Sequence, residues 1–167
     1  MSAPVIRVAR SEADTRRLGE ALGARLEIGD LVALSGPLGA GKTCFARGLA
    51  LGLGCRARVR SPSFSLVNEY HGRILLVHLD LYRVQPGDVE SLGIEEYVGR
   101  GALVVEWGEK LPAAWQVDAL VLAFEIVGGS ERRIVAEGRA GRGLELLGAW
   151  RALVDPEEVV PRAAQGP

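Results

Sequence analysis

The sequence predicts a single α/β domain, a three-layer sandwich whose central sheet is mixed but largely parallel and carries antiparallel hairpins at its margins. Three observations predict this fold. An apolar run at residues 31–34 precedes a glycine-rich turn and a helical pattern, which is typical of a strand buried on both faces. A similar run at residues 102–105 ends at Glu106. Two pairs of strand-like segments have short glycine-containing connections, which are typical of hairpins.

The first half of the chain predicts two strand–helix units followed by a hairpin. Ser11 with Asp14 three residues later is typical of a helix start, and Gly54 stands where a C-terminal cap places glycine. Only His71 and Gly72 separate the strands of the hairpin. The predicted elements are a strand at 5–9, a helix from Ser11, a strand at 31–34, a helix at 43–53, and strands at 66–70 and 73–79.

The second half predicts short helical turns, a buried strand, a second hairpin and a last helix. Gly93 interrupts the turns, and the glycine pair at 128–129 connects the hairpin. These elements are turns within 88–98, a strand at 102–105, strands at 118–127 and 132–137, and a helix at 143–154. We therefore expect one domain over residues 1–154 and a flexible C-terminal tail at 155–167.

Composition narrows the function classes. A hydrophobic share of 48% in 167 residues is ample for a buried core. The 20 basic and 21 acidic residues leave a net charge of -1, which is unlike a dedicated nucleic-acid binder. Cys44 and Cys55 have neither disulfide-framework nor zinc spacing. Since no apolar stretch reaches the length of a signal region or membrane span, we expect a soluble cytoplasmic protein with no membrane contact.

A phosphate-binding motif lies between the second predicted strand and helix. Residues 36–43, Gly-Pro-Leu-Gly-Ala-Gly-Lys-Thr, match G-x-x-x-x-G-K-[ST] at every fixed position. Glycines let backbone N–H groups converge on phosphate oxygens, and the helix N-terminus adds partial positive charge. We expect Lys42 to bridge the terminal phosphates and Thr43 to bind Mg²⁺. The predicted nucleotide ligands are Leu38, Gly39, Ala40, Gly41, Lys42 and Thr43.

Other segments of the chain indicate which base the nucleotide carries and which carboxylates take part in catalysis. The chain has one asparagine, Asn68, and so lacks the Asn-Lys-x-Asp segment that recognises guanine, which favours ATP. Asp80 and Glu106 each follow an apolar strand. Either residue alone could be a surface carboxylate, but two beside a P-loop indicate a metal-binding or water-positioning role.

An ordered set of further motifs accompanies the P-loop. It comprises Ser61-Pro62-Ser63-Phe64, then Leu66-Val67 and Tyr70, then His78-Leu79-Asp80-Leu81-Tyr82-Arg83, then Leu92-Gly93, then Glu106-Trp107. With this set the chain resembles, from about Val5 to Arg133, the TsaE (YjeE) family. That family comprises small P-loop ATPases of bacterial threonylcarbamoyladenosine synthesis on tRNA.

The resemblance implies roles for individual residues. Asp80 and Glu106 would serve magnesium and hydrolysis, with Glu106 preferred as the metal ligand together with Thr43, and Trp107 would support the site. Lys42 of the P-loop completes the predicted catalytic set. Residues 61–64 would form a switch-like loop near the γ-phosphate. The family usually has Ser-Pro-Thr-Phe there, so Ser63 departs from the pattern but keeps a hydroxyl.

Two weaker assignments come from the same resemblance. It places Ser11 near the nucleotide base, and Arg132 or Arg133 near the phosphates or base; we assign this contact to Arg133. Local sequence alone equally favours a helix cap for Ser11 and a solvated strand face for the arginines.

The resemblance also implies partners. TsaE proteins act with TsaB and TsaD, of which TsaD transfers the threonylcarbamoyl group, and tRNA is reached through this complex. Two other function classes stay open: a small-molecule kinase using the same P-loop, and a nucleotide-sensing scaffold without significant turnover. Arg56, Arg58 and Arg60 could contact tRNA phosphates, a transferring phosphate or a partner, or could simply be a solvated loop. Neither His71 nor His78 belongs to a nucleophile or metal constellation, so we interpret both as structural.

Overall fold

The computed structural model describes residues 2–62 and 65–153. The strands of the described part are β1 (Val5–Ala9), β2 (Leu31–Ser35), β3 (Val67–His71), β4 (Leu75–Asp80), β5 (Gly101–Glu106), β6 (Leu120–Gly128) and β7 (Glu131–Gly138). Its α-helices are α1 (Glu12–Gly23), α2 (Lys42–Gly52), α3 (Ala113–Gln116) and α4 (Gly141–Arg151). Short 3₁₀ helices span Pro86–Leu92, Ile94–Tyr97 and Gly108–Lys110.

The described strands form a single sheet in the order β1-β7-β6-β2-β5-β4-β3. The central pairings β6–β2, β2–β5 and β5–β4 are parallel, whereas β3 and β7 run antiparallel to their neighbours. This arrangement confirms the predicted mixed, largely parallel sheet with hairpins at its margins. Because parallel strands end at the same edge of the sheet, the last residues of β2, β4 and β5 lie close together.

The two faces of the sheet are covered differently. Helices α1, α2 and α4 cover one face, around fully buried side chains such as Leu22, Phe45 and Trp150. Burial of one such side chain contributes about 1.5–3 kcal/mol. The other face packs against 3₁₀ segments through Val89 and Ile94, so the predicted second helical layer is built from short turns.

Helices α1 and α2 are in close contact because glycines line their interface. A Cβ at Gly48 would lie 2.2 Å from the carbonyl oxygen of Arg16. This contact fixes α2, and with it the turn that precedes α2, against the rest of the core.

The first hairpin is shifted relative to its prediction. The strand β3 is Val67–His71, so His71 belongs to the strand and not to the turn. The strand β4 begins at Leu75 rather than at Arg73, because Arg73 makes other contacts. Its amide donates to Leu53 O at 2.6 Å and its guanidinium donates to Leu26 O at 2.7 Å. Arg73 therefore ties the turn to the C-terminal ends of α1 and α2.

Some predictions lie outside the described residues. Ser63 and Phe64 of the predicted switch-like loop are among them, as is the predicted tail at 155–167. The domain boundary at residue 154 therefore stays a prediction. No helix within the described ranges combines the length and apolar character that crossing a membrane requires.

Candidate functional site

The predicted P-loop connects the end of β2 to the start of α2. Gly36, Gly39 and Gly41 have positive φ angles of 137°, 78° and 105°, a backbone conformation that glycine adopts without strain. A Cβ at Gly36 would also lie 2.6 Å from Phe124 O. The loop lines a cavity of about 250 Å³ together with Glu12, Leu38, Ala40, Lys42, Thr43, Cys44, Ser61, Asp80, Tyr82, Glu106 and Trp107.

This cavity contains most of the predicted site residues, although it is not the largest concavity. A groove of about 570 Å³, mostly apolar, lies between α1, α2 and the end of α4. None of the predicted site residues lines it. The chemistry-bearing side chains of the described residues therefore converge on the smaller, more polar cavity.

Lys42 is buried at the floor of the cavity, with 5% of its surface exposed. Its ammonium donates to the carbonyls of Gly36 and Pro37, and lies 3.9 Å from the ring centroid of Trp107. Burial lowers the pKa of Lys42, and the nearby charges of Glu106, Glu109 and Asp80 act in the opposite direction. A buried ammonium that rests on backbone carbonyls is well placed to exchange them for phosphate oxygens.

The two strand-end carboxylates lie side by side. In the parallel pair β4–β5, Asp80 is the register partner of Glu106, and both side chains are buried, with 4% and 3% exposed. Leu76 and Val104 on the same strands pack under the helices. Since side chains alternate along a strand, Asp80 and Glu106 also face α2.

Glu106 contacts the residue with which it was predicted to bind metal. The Thr43 hydroxyl donates to Glu106 Oε1 at 2.8 Å, although the two residues are 63 positions apart. Within the described ranges, no group of three or more His, Cys, Asp or Glu side chains could hold a metal ion by itself. Mg²⁺ typically takes few protein ligands and completes its shell with phosphate and water. The hard oxygens of Thr43 and Glu106 fit that mode.

Asp80 contacts both flanks of the predicted switch-like loop. Its Oδ1 accepts from the Tyr82 amide at 2.9 Å, and its Oδ2 accepts from the Ser61 hydroxyl at 3.4 Å. Its own amide donates to Leu66 O at 3.0 Å, where Leu66 has a positive φ of 67°. The chain is thus attached to Asp80 on either side of residues 63–64.

His78 is a member of the site that the sequence interpretation missed. It is fully buried, and its Nε2 lies 2.7 Å from Glu106 Oε2. The signal was its position two residues before Asp80, which places both side chains on the same face of β4. The interpretation of His78 as structural did not include this contact with Glu106.

Trp107 lies against the P-loop lysine. Its backbone has a positive φ of 59°, and its ring centroid is 5.1 Å from that of Tyr82. The ammonium of Lys110 is 5.8 Å from the same ring and donates to three carbonyls, those of Leu81, Tyr82 and Val84. The segment after β4 and the turn after β5 are thereby joined beside the cavity.

Ser11 and Arg133, the two further residues assigned to the nucleotide, do not line the cavity. Ser11 caps α1 by accepting from the Asp14 amide at 3.1 Å. Arg132 donates to the P-loop carbonyls of Ala40 and Gly39, at 3.1 and 3.3 Å.

Arg133 donates instead to Glu125 at 2.7 Å in an exposed pair. The nucleotide contact predicted for Arg133 stays a prediction, but the structure brings Arg132 rather than Arg133 to the P-loop. The physical reason is alternation along β7: Arg132 shares the face of Ile134, which packs in the helix-covered core, and Arg133 points the other way.

The arginines of the loop after α2 are all exposed. Arg56, Arg58 and Arg60 project into solvent, whereas Val59 between them is buried. The backbone of this loop is fixed because Arg47 donates to Val59 O at 3.3 Å and Arg60 N donates to the Tyr70 hydroxyl at 3.1 Å. The three guanidinium groups are therefore presented to solvent from an anchored backbone.

The fold and site together define an α/β protein of the P-loop NTPase-like class. The family model described as "Threonylcarbamoyl adenosine biosynthesis protein TsaE" matches residues 9–134. A relative from Treponema pallidum, called tRNA threonylcarbamoyladenosine biosynthesis protein TsaE, is 42% identical over 129 residues, which are 76% of this chain and 96% of the relative. The equally named protein of Aquifex aeolicus is 38% identical over 130 residues, 76% of this chain and 91% of the relative.

A solved structure agrees with these sequence matches. The crystal structure of YdiB from Bacillus subtilis superposes with a TM-score of 0.75 at 31% identity, covering 90% of this chain and 95% of YdiB. The chain belongs to the TsaE family.

Proposed function

We propose that this chain is the ATP-binding and ATP-hydrolysing component of the machinery that forms N6-threonylcarbamoyladenosine on tRNA. The observation that carries the proposal is the contact of Thr43 with Glu106 at the mouth of a complete P-loop. It brings a magnesium-type hydroxyl and a buried carboxylate to the place where a P-loop holds terminal phosphates. The names of the relatives supply the biological setting.

The nucleotide is held by the backbone and by Lys42. Amide groups of residues 38–43 and the N-terminus of α2 bind the phosphates, and Lys42 leaves the Gly36 and Pro37 carbonyls to bridge the terminal ones. Thr43 and Glu106, which contact each other, would hold magnesium, and the ion would neutralise charge on the phosphate oxygens. Asp80 orients the attacking water, because its carboxylate is fixed by Tyr82 and Ser61.

TsaB and TsaD are the proposed partners, and tRNA is reached through their complex in the cytoplasm. ATP hydrolysis by this chain resets the complex after a turnover, while the threonylcarbamoyl transfer belongs to TsaD. We expect Asp80 to couple nucleotide binding to docking of these partners. Its contacts with Ser61 and Leu66 attach the two flanks of residues 63–64 to the nucleotide site.

Phosphate release from ATP tests this proposal. The pure protein is assayed alone and with TsaB, TsaD and substrate tRNA, beside the Lys42→Ala variant and the exposed-surface control Arg100→Met. We expect turnover that rises with the partners, is lost in Lys42→Ala and is retained in Arg100→Met. Transfer of phosphate to a small acceptor instead of water would support a kinase. Nucleotide-dependent binding of the partners without phosphate release would support a scaffold.

A further inference from the structure

His78 is the buried polar side chain of the site for which the proposed chemistry has no role. It lies on β4 with none of its surface exposed, on the same strand face as Asp80. Its register partner on β5 is Val104, two residues before Glu106. The ring therefore lies behind the two carboxylates, on the side away from the cavity mouth, and does not line the cavity.

The hydrogen bond between His78 and Glu106 has a defined direction. A carboxylate is an acceptor, so Nε2 carries the proton and donates to Glu106 Oε2 across 2.7 Å. The other ring nitrogen, Nδ1, is buried and has no partner among the described residues. The bond to Glu106 is thus the only polar contact that the described part of the chain gives this ring.

The two oxygens of Glu106 are consequently divided between two partners. Oε2 is held by His78 from behind, and Oε1 accepts from the Thr43 hydroxyl at 2.8 Å. A glutamate side chain has three rotatable bonds, so without the ring its carboxyl group could turn both oxygens toward the cavity or away from it.

We propose that His78 is a positioning residue that fixes Oε2 and thereby directs Oε1 of Glu106 to the metal position beside Thr43. The proposal rests on the proposed function, because it takes Thr43 and Glu106 as the magnesium ligands. Hydrogen-bond partners of metal ligands orient the ligand, and their loss typically costs about 10–100-fold in metal affinity or activity.

A purely space-filling role predicts something different. A ring that only fills volume would be replaced well by an apolar side chain, which would also remove the unpartnered Nδ1. A positioning role requires a donor at the place of Nε2. Glutamine can present its amide nitrogen near that place, whereas asparagine is one methylene shorter and cannot.

Three variants separate these roles: His78→Gln, His78→Asn and His78→Leu. The probe is Mn²⁺ in place of Mg²⁺, titrated by electron paramagnetic resonance in the presence of a non-hydrolysable ATP analogue. We expect His78→Asn and His78→Leu to bind Mn²⁺ about 10–100-fold more weakly than the parent, and His78→Gln to recover most of the loss. Affinity for the analogue in excess chelator should be unchanged in all three.

Other outcomes overturn the proposal. If His78→Leu bound Mn²⁺ as tightly as the parent, or if His78→Gln were as weak as His78→Asn, the positioning role would be refuted. Circular dichroism identifies a variant that does not fold. If His78→Asn or His78→Leu fails to fold, the other of these two variants, which also lacks a donor at the place of Nε2, decides. Glu106→Ala is the control for the proposed function: if it bound Mn²⁺ like the parent, the metal role of Glu106 would fail, and the role of His78 with it. Unchanged His78 variants beside a weakened Glu106→Ala would refute this inference alone.

Discussion

Two buried carboxylates at opposite ends of the sheet have opposite surroundings. Asp30, 1% exposed, precedes β2 and accepts from Arg142 at both oxygens, 2.8 Å each, and from the Glu27 amide. Glu106, 3% exposed, ends β5 and has only a hydroxyl and an imidazole as partners among the described residues. The charge of Asp30 is therefore balanced by the guanidinium of Arg142, whereas Glu106 can still bind a cation.

The difference between the surroundings of Asp30 and Glu106 shows that residues for stability and residues for function lie at different ends of the sheet. A buried charge without a counter-charge is costly, and a protein retains one where chemistry requires it. The charge of Glu106 acts on Lys42, but the Lys42 ammonium donates to carbonyls of its own loop. At the other end of the sheet, the pKa of Arg142 is raised, chiefly by its hydrogen bond to Asp30.

Removing Arg142 should have the largest effect on stability. In Arg142→Met the carboxylate of Asp30 stays buried without its partner, and we expect the free energy of unfolding to fall by about 3 kcal/mol. Urea unfolding measures it. Arg100→Met is the matched control, because Arg100 pairs with Glu69 at an exposed site and its loss should cost at most about 1 kcal/mol. Equal losses in the two variants would remove the distinction between the sites.

Removing Lys42 should raise the free energy of unfolding, whereas removing Arg142 lowers it, and the gain should depend on pH. Because its pKa in the folded state is lowered from the ordinary value of 10.5, the buried ammonium destabilises the nucleotide-free protein below the lowered pKa. The unfolded chain binds the extra proton in the window between the two values, so parental stability rises with pH there. Lys42→Met should therefore be more stable than the parent at neutral pH, by a margin that shrinks toward 10.5.

Urea unfolding without nucleotide, repeated from neutral to alkaline pH, measures that margin. Arg100→Met serves again as the control, since an arginine stays charged throughout the range. A margin that stays constant or widens with pH would contradict a lowered lysine pKa.

A smaller effect should distinguish two neighbouring arginines. Arg132→Ala removes the donor from the carbonyls of Gly39 and Ala40, and we expect ATP affinity to fall by about 1 kcal/mol, or roughly fivefold. Arg133→Ala breaks only an exposed pair and should leave affinity almost unchanged. Calorimetric titration of ATP into both variants decides, and a larger loss in Arg133→Ala would support the predicted nucleotide contact of Arg133 instead.

Much of the fold could be predicted because its signals are local. The P-loop and the alternating hairpins can each be identified from a few consecutive residues. Asp80 and Glu106 could be predicted as a pair because neighbouring parallel strands end at the same edge of the sheet. The choice between Arg132 and Arg133 depended on which face of β7 the core occupies. The burial of Ile134 and Ala136 shows which face of β7 packs on the core, and a shift of one residue in the strand register would exchange the two faces.

The contacts that sequence reasoning did not find are long-range side-chain pairs. Arg142 meets Asp30 across 112 positions, and His78 meets Glu106 across 28. Spacing along β4 could place His78 on the same face as Asp80, but the pairs themselves depend on the packing of α4 and on the β4–β5 register. Ser11 illustrates the converse: its cap contact is local, and the local pattern predicted it.

Phosphate release from ATP by Glu106→Ala and Arg142→Met, assayed together at a temperature where both variants are folded, tests the central claim most directly. The account predicts that Glu106→Ala loses turnover by about 100-fold or more while keeping parental stability, and that Arg142→Met keeps parental turnover despite its lower stability. Parental turnover in Glu106→Ala, or equal loss in both variants, would contradict the separation of the two carboxylates into a functional and a structural site.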